Sequence, residues 1–268
     1  MGVSSFGGSS LNVAAAELRV LITAGADGIG RAIATTFAAA GAKVFICDVN
    51  ADALSQFCAT HPQIGTTLTD VAVADQVDSM FHVAVSRLGG LDVLINNAGI
   101  TGPTAKVEEI SVADWDRTIA VDLNSMFYCT RRAVPLLKAA GGGSIINMSS
   151  IAGRLGYPLR SAYSAAKWGV VGFTKSLSME LGPSNIRVNA ILPGVVEGDR
   201  LDRLLEAKAQ ALGLNADEFR ERFVSPISLR RMVSAQDIAN MALFLATPAA
   251  RSISGQALSV CGDHAMLV

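Results

Sequence analysis

The chain has 268 residues, a formal net charge of −1 and 17% charged residues. With nearly equal numbers of acidic and basic residues, the chain has no excess positive charge that could attract nucleic acid or an anionic membrane surface. Neither is expected as a partner. Half of the residues are hydrophobic, but charged residues, Asn or Gly interrupt each apolar segment before the roughly 18 residues of a membrane span. A soluble protein with a substantial core is therefore expected.

The four cysteines and the N-terminal stretch favour a cytoplasmic protein. Cys47, Cys58, Cys129 and Cys261 are scattered without C-x-x-C spacing, and a thiol in an apolar segment behaves as a small hydrophobe. The opening "MGVSSFGGSS" lacks the basic and apolar regions of a signal peptide. Its Gly and Ser content predicts a flexible tail over residues 1–16, followed by one domain over 17–268.

From Leu18 onward, short apolar runs alternate with segments of helical periodicity. In chain order they are "RVLIT" and 31–41, "KVFICD" and 51–60, "GTTLTDV" and 73–88, "LDVLINNAG" and 111–138, "GSIINMSS" and 161–181, "IRVNAILPG" and 234–247, and a last strand near "SGQALSVCG". Nearly continuous Val/Ile/Leu strands separated by helices indicate a parallel sheet covered on both faces. The predicted fold is a doubly wound, three-layer α/β/α sheet with its ligand site beyond the carboxyl ends of the strands.

One segment breaks the alternation. Residues 195–231 carry charged, amphipathic helical pieces between the sixth strand and the next helix. A segment of this length and composition is typical of a lid or substrate loop rather than a second domain.

The stretch "TAGADGIG", Thr23 to Gly30, lies between the first predicted strand and the first predicted helix. Its glycines do not form G-x-G-x-x-G, and Ala24 stands where G-x-x-x-G-x-G needs its first glycine. A loop at a helix N-terminus can hold a phosphate through free backbone N–H groups and the helix dipole. Taken alone, the spacing leaves an ordinary glycine-rich turn equally open.

Tyr163 and Lys167 in "YSAAK" are four residues apart on a predicted helix, so their side chains share one face. A free tyrosine ionises near pH ~10, and a neighbouring cation favours the phenolate, so the pair can act as acid or base closer to neutral pH. Ser150, at the end of "SIINMSS", can offer its hydroxyl to a substrate oxygen. The three residues indicate an alcohol or carbonyl site, although Y-x-x-x-K alone is more often coincidence.

The motifs also stand in a distinctive order. "YSAAK" begins thirteen residues after the second serine of "SSIAG", with "NNAG" upstream and "PG" downstream. In this order the chain resembles the short-chain dehydrogenase/reductase family from about Leu18 to Gly262. The resemblance implies a single Rossmann-type domain, a nicotinamide cofactor, and hydride transfer between that cofactor and an alcohol or ketone. It also implies a homotetramer, assembled through the helices after strands four and five and through the C-terminal strand.

The resemblance assigns roles residue by residue. Tyr163 is similar to the family's general acid/base, Lys167 to the residue that assists it and holds the nicotinamide ribose, and Ser150 to the anchor of the substrate oxygen. The positions that match the family's other cofactor contacts are Thr23, Gly25, Asp27, Gly28, Ile29, Gly30, Asp70, Val71, Asn97, Ala98, Gly99, Pro193, Gly194 and Val196. At least half of the role of "NNAG", which begins at Asn96, is expected to be sheet architecture.

Asp48 favours NAD over NADP. It ends the second strand about twenty residues after the glycine loop, where a carboxylate accepts hydrogen bonds from the ribose hydroxyls and repels a 2′-phosphate. No basic residue follows it in "DVNAD", and Asp27 rather than a basic residue precedes Gly28. An alternative role for Asp48 is to cap the helix over 50–60.

Two positions depart from the family pattern. Counting seven residues from Trp115 reaches Asp122 where the family has a catalytic asparagine, and Asn124 is out of register on another helix face. We take Asp122 as the equivalent, keeping the relay geometry while adding a charge. Gly198 stands where the family places a threonine against the nicotinamide carboxamide, so that contact is lost or supplied by another group.

Several side chains near Ser150 and in the lid are candidates for binding the substrate. The candidate substrate contacts are Arg154, Tyr157 and Arg160 after Ser150, and Arg200, Arg203, Arg222, Arg230 and Arg231 in the lid. One or two of the arginines could clamp a carboxylate or sulfonate through a bidentate contact. Each, taken singly, is more often a solvated or subunit-contacting residue. His61, His82 and His264 lack the spacing of a metal site, and no metal is expected.

Two other functions stay open. A catalytically idle member of the family that binds NAD as a sensor or scaffold is favoured by Asp122 and Gly198, and opposed by the intact Ser150, Tyr163 and Lys167. A sugar-nucleotide epimerase or dehydratase also uses Tyr and Lys, but it needs a larger C-terminal domain than this lid provides.

Overall fold

The fold is described from a computed structural model, which describes residues 15–198, 201, 215, 217, 220–221 and 224–265. Seven strands form its sheet: β1 (Arg19–Thr23), β2 (Lys43–Asp48), β3 (Gly65–Leu68), β4 (Val93–Asn96), β5 (Gly143–Met148), β6 (Ile186–Pro193) and β7 (Ala257–Val260). Their order is β3-β2-β1-β4-β5-β6-β7, and every neighbouring pair is parallel. The order reverses between β1 and β4, which places the expected ligand crevice at their carboxyl ends.

Helices cover both faces of the sheet. They are α1 (Gly28–Ala39), α2 (Ala51–Thr60), α3 (Ala74–Leu88), α4 (Val112–Ile119), α5 (Ser125–Ala139), α6 (Ser161–Leu181) and α7 (Ala235–Ala246). One buried cluster joins α1, α2 and α7 to the sheet through residues such as Phe37, Phe57 and Ile238. The other joins α3, α5 and α6 to the opposite face through residues such as Met80, Leu137 and Leu177. The predicted three-layer α/β/α fold is confirmed.

The helix predicted over 111–138 is present but is not α-helical throughout. Its two parts, α4 and α5, are joined by a π-helical turn over Ala120–Asn124. A π turn inserts an extra residue without ending the helix, so apolar periodicity on either side does not reveal it. In this turn Val121 and Asp122 are buried, whereas Asn124 is exposed.

Much of the predicted lid lies outside the described residues, but both of its ends are described. At one end Val196 pairs with Val233 in a parallel bridge, and at the other Ile227 pairs with His264 in an antiparallel bridge. Residues 1–14 of the predicted tail also lie outside the described residues, while Ala15 is fully buried against the α1 face. Among the described helices, none is both long and apolar enough to cross a bilayer.

Candidate active site

Tyr163 and Lys167 share one face of α6, as their spacing predicts. The Lys167 ammonium lies 5.5 Å from the centre of the Tyr163 ring, and only 3% of Lys167 is exposed. Its Nζ donates to the Met148 carbonyl, 3.2 Å away, at the end of β5. The buried ammonium is thus held between the sheet edge and the half-buried tyrosine.

The end of β5 is fastened to the same helix. Ser149 Oγ donates to the Lys167 carbonyl at 2.8 Å, and a Cβ on Gly153 would approach that carbonyl to 2.6 Å. Ser150 comes next in extended conformation, and its Oγ accepts the Ala152 N–H at 3.1 Å. This acceptor role leaves the Ser150 hydroxyl proton available to a substrate oxygen. Sequence reasoning missed Ser149, whose only signal was the paired serine after the strand.

Asp122 lies beside Lys167 with no exposed surface. Its Oδ1 accepts the Ile100 N–H at 2.7 Å, and its Oδ2 lies 3.5 Å from Lys167 Nζ, with no hydrogen bond of its own to the described residues. Burial raises the pKa of Asp122 above its ordinary value, while the Lys167 charge and the Ile100 N–H act in the opposite direction. Asp122, not Asn124, is therefore the residue of this helix that meets Lys167.

The glycine loop turns at Ala24 itself. Ala24 has φ +50°, a left-handed conformation that favours glycine, which argues against an unstrained alanine there, and Gly25 does not take over the turn because its φ is not positive. A Cβ on Gly30 would lie 1.9 Å from the Ala24 carbonyl, whereas one on Gly28 would meet nothing within 4 Å. The loop is closely packed on its inner side and open at Gly28.

The open side of this loop fits a phosphate. In the first turn of α1, the N–H groups of Ile29 and Gly30 have no intrahelical acceptor. The Asp27 carboxylate caps the helix by accepting the Gly28 N–H at 2.7 Å. Asp27 is exposed, so it adds negative charge at the mouth of the loop.

The "NNAG" motif makes many of the architectural contacts expected of it. Thr23 Oγ1 accepts the N–H groups of Asn97 and Ala98 at 2.9 and 3.0 Å. Asn97 Nδ2 donates to the carbonyls of Thr23 and Ala24 at 3.1 and 3.0 Å. A Cβ on Gly99 would lie 3.0 Å from Lys167 Nζ, so this glycine permits the close approach of the ammonium.

A buried polar ladder continues across the sheet from Asn96. Asn96 Nδ2 donates to Asn147 Oδ1 at 2.9 Å, and Asn147 Nδ2 donates to Thr174 Oγ1 at 3.0 Å. Neither Asn147 nor Thr174 was identified from the sequence, since an isolated polar residue in an apolar strand or helix carries no partner signal.

Asp48 does not cap α2. Asn50 is the cap, because its Oδ1 accepts the N–H groups of Asp52 and Ala53. Asp48 instead accepts the Ala26 N–H through Oδ2 at 3.1 Å and the Asn50 N–H through Oδ1 at 3.0 Å. Each oxygen keeps a free lone pair, so the carboxylate fits the role of acceptor for ribose hydroxyls.

The remaining cofactor positions lie along the same edge. Asp70 accepts the Ala72 N–H at 2.9 Å and pairs with Arg117 at 3.1 Å, and the neighbouring Val71 is buried. The Gly194 N–H donates to the Val260 carbonyl at 2.9 Å.

Gly198 keeps a glycine-type backbone. It is exposed with φ +154°, and a Cβ there would meet nothing within 4 Å. The family's threonine would therefore have room at this position but an unfavourable backbone conformation.

The candidate substrate arginines within the described residues have different surroundings, and Arg231 lies 3.8 Å from the Asp237 carboxylate. Arg160 Nη1 donates to the carbonyls of Thr101 and Gly102 at 2.8 and 3.2 Å, so it braces the segment after "NNAG". Arg154 is exposed and lines a cavity of about 420 Å³ together with His264. Arg200, Arg203 and Arg222 lie outside the described residues.

The cysteines and histidines show no arrangement for a metal within the described part of the chain. No group of three or more His, Cys, Asp or Glu side chains there could hold an ion. All four cysteines are free thiols, and three of them are buried, as their apolar surroundings predict. Burial raises the pKa of the Cys47 thiol to about 12, which keeps it protonated and unreactive.

Comparison with known proteins places the chain among oxidoreductases. A family model described as enoyl-(acyl carrier protein) reductase matches residues 23–262. The chain is 40% identical over 260 residues to trans-4-hydroxycyclohexanecarboxylate dehydrogenase of Sinomonas cyclohexanicum, covering 93% of each. It is 33% identical over 246 residues to 7alpha-hydroxysteroid dehydrogenase of Escherichia coli (strain K12), covering 90% of this chain and 92% of the relative.

A solved structure supports the same placement. An actinorhodin polyketide ketoreductase variant crystallised with NADPH superposes with a TM-score of 0.85 at 30% identity, covering 92% of this chain and 96% of the other. Fold, motif order and relatives therefore agree, and the chain belongs to the short-chain dehydrogenase/reductase family of oxidoreductases.

Proposed function

We propose that the protein is an NAD-dependent dehydrogenase that oxidises a secondary alcohol to a ketone and catalyses the reverse reduction. The observation that carries this proposal is the buried Lys167 ammonium, 5.5 Å from the Tyr163 ring and beside the strand that ends at Ser150. A desolvated cation next to a phenol favours the phenolate, which is the base that alcohol oxidation needs.

The roles of the three residues follow from their positions. The Tyr163 oxygen takes the proton of the substrate hydroxyl in oxidation and returns it in reduction. The Ser150 hydroxyl donates a hydrogen bond to the same substrate oxygen and orients it. The Lys167 ammonium stabilises the phenolate, and its attachment to Met148 keeps it in place. When bound, the nicotinamide supplies the hydride acceptor or donor.

Preference for NAD rests on Asp48. Its two oxygens accept the N–H groups of Ala26 and Asn50. These neutral donors fix the orientation of the carboxylate and leave its negative charge in place. A 2′-phosphate would meet this carboxylate at close range, whereas ribose hydroxyls can donate to it. The ketoreductase crystallised with NADPH is a relative of this chain, so the direct measurement is kcat/KM with each coenzyme. A higher value with NADP would contradict the preference.

The substrate proposed is a secondary alcohol within a hydroxy acid, polyol or sugar-like molecule. The two relatives compared here act, by their names, on a hydroxycyclohexanecarboxylate and a hydroxysteroid, which share a ring-borne hydroxyl group. A panel should therefore include cyclic hydroxy acids and steroids beside open-chain polyols and sugars.

A cytoplasmic homotetramer is also proposed. On α5 and α6, the helices that follow β4 and β5, Phe127 is 53% exposed, Trp168 52% and Met179 82%. Large apolar side chains exposed on these two helices favour burial against another copy. Sedimentation equilibrium would give four chain masses, and a monomer at micromolar concentration would contradict this assembly.

Tyr163→Phe is the test of the dehydrogenase function, read by NADH absorbance across the alcohol panel. Loss of the proton-transfer group should lower kcat about 10²- to 10⁴-fold, with little change in NADH binding. The matched control is Tyr128→Phe, which removes a hydroxyl from α5 and should leave turnover unchanged. Undiminished turnover in Tyr163→Phe would refute the mechanism.

A second candidate is a catalytically idle NAD-binding protein. It is favoured by the replacement of the expected asparagine and threonine by Asp122 and Gly198. In that case NADH would bind to the wild-type protein, as read by its fluorescence, while no alcohol or ketone of the panel would turn over.

A further inference from the structure

We propose that Asp122 is the charge partner of Lys167 and that it moves the pH range of catalysis toward alkaline pH. The inference rests on the proposed dehydrogenase function, since it concerns the base of that reaction. Asp122 is a positioning residue in this scheme, because it acts on the substrate only through Lys167 and Tyr163.

The geometry makes Asp122 a full charge next to the ammonium. The carboxylate has no exposed surface, so water does not screen it. One oxygen is fixed by the Ile100 N–H at 2.7 Å, and the other, which lacks a hydrogen bond of its own within the described residues, lies 3.5 Å from Lys167 Nζ. Among the described residues, only the Lys167 ammonium offsets the loss of hydration at this second oxygen.

Other charged groups of the neighbouring elements do not face Lys167. On α4, Asp114, Asp116 and Arg117 are exposed, and Arg117 pairs with Asp70. On β6 the charged residue is Arg187, which pairs in register with Ser144 near the opposite end of the sheet.

The elements nearest the ammonium carry no charge that competes with Asp122. β5 and the turn Ile151–Gly153 contain no charged residue. Besides Tyr163, α6 carries Lys175 and Glu180, which are exposed about two turns or more beyond Lys167. Arg160, at the start of α6, donates to the carbonyls of Thr101 and Gly102. Among the described residues, Asp122 and Tyr163 are thus the titratable groups that meet Lys167.

A carboxylate in this position weakens the help that Lys167 gives to Tyr163. An isolated ammonium favours the phenolate, but an ion pair presents almost no net charge to the tyrosine. The neutral asparagine that the family has here would leave the ammonium uncompensated. Lys167 consequently supports proton transfer to Tyr163 less than it would beside a neutral residue at position 122, and alkaline pH favours the reaction correspondingly more.

The test is the pH profile of kcat/KM for alcohol oxidation in wild type and Asp122→Asn. Asparagine keeps an oxygen for the Ile100 N–H while removing the charge, so the midpoint of the acid limb should move about one pH unit lower. Asp116→Asn, the same substitution on the exposed surface of α4, should leave the midpoint in place. An unshifted midpoint in Asp122→Asn, with only a uniform change in rate, would overturn the proposal.

A substrate-free measurement separates this proposal from the dehydrogenase function. The raised pKa of Asp122 means that the folded state binds its proton more tightly than the unfolded chain, so wild-type stability falls as pH rises from about 4 through that pKa. Asp122→Asn lacks this loss. The urea midpoint of Asp122→Asn relative to that of wild type should therefore increase as the pH is raised from about 4 and level off once Asp122 is fully ionised.

Each outcome has a distinct meaning. A difference in urea midpoint that still grows at pH ~8 would show a neutral Asp122 at working pH and would overturn the ion pair. Absence of turnover with every alcohol, together with the expected plateau, would instead refute the dehydrogenase function alone.

Discussion

Asp48 at the end of β2 and Asp122 in the π turn are both buried carboxylates, yet their charges are held in different ways. Asp48 accepts one backbone N–H at each oxygen, and no cation of the described residues pairs with it. Asp122 accepts one N–H and faces the Lys167 ammonium. Neutral donors fix a carboxylate while preserving its field, whereas an ammonium largely cancels it. The first arrangement suits discrimination between ligands by charge, and the second suits adjustment of a neighbouring base.

The largest expected effect is the loss of unfolding free energy when the Asp122–Lys167 pair is broken. Lys167→Met keeps the length of the side chain but leaves Asp122 buried without its cation, which should cost about 3 kcal/mol of unfolding free energy at neutral pH. Adding Asp122→Asn removes the uncompensated charge. The double variant should therefore recover about 2 kcal/mol, as measured by urea denaturation.

The double-mutant cycle contains its own control. Lys175→Met changes a lysine of α6 that donates to the Gly255 carbonyl on the surface, and it should combine additively with Asp122→Asn. Additive effects for Lys167→Met and Asp122→Asn as well would mean that the two side chains do not interact energetically.

The comparison also separates what sequence could predict from what it could not. The bounds of α2 and α6 follow the predicted 51–60 and 161–181, because helical periodicity is uninterrupted and Gly182 follows α6 directly. Tyr163 and Lys167 could be identified because their contact depends only on spacing along one helix. The Asp122–Lys167 pair could not, since it depends on a π turn and on packing between residues 45 positions apart.

The cap of α2 and the backbone conformation of Ala24 could not be predicted from the sequence either. The cap of α2 is Asn50 rather than Asp48 because Asp48 turns back to the Ala26 N–H, a contact 22 residues away. The left-handed Ala24 is imposed by its neighbours in space, with Asn97 bonding to its carbonyl and Gly30 packed against it. Neither contact has a signature within a short window of sequence.

The charge of Asp48, which accepts two backbone N–H groups, should determine the preference between NAD and NADP. Asp48→Asn removes the charge with little change in shape, so the ratio of kcat/KM for NADP to that for NAD should rise about 10- to 100-fold, or about 1.4–2.8 kcal/mol. Asp52→Asn, an acidic residue in the first turn of α2, is the matched control and should leave the ratio unchanged. An unchanged ratio in Asp48→Asn would show that charge at this position does not select the coenzyme.

The smallest effect concerns the loop that supplies one of the two amides to Asp48. Ala24 holds a left-handed φ of +50° two residues before Ala26, whose N–H binds the carboxylate. Glycine adopts this conformation without the Cβ clash but has more freedom in the unfolded chain, so Ala24→Gly should raise the unfolding free energy by a net ~0.5–1 kcal/mol. Ala26→Gly, at a position without positive φ, should lower it instead. Equal losses of stability in the two variants would mean that the backbone of Ala24 is unstrained. The loop would then supply the Ala26 N–H to Asp48 at no conformational cost.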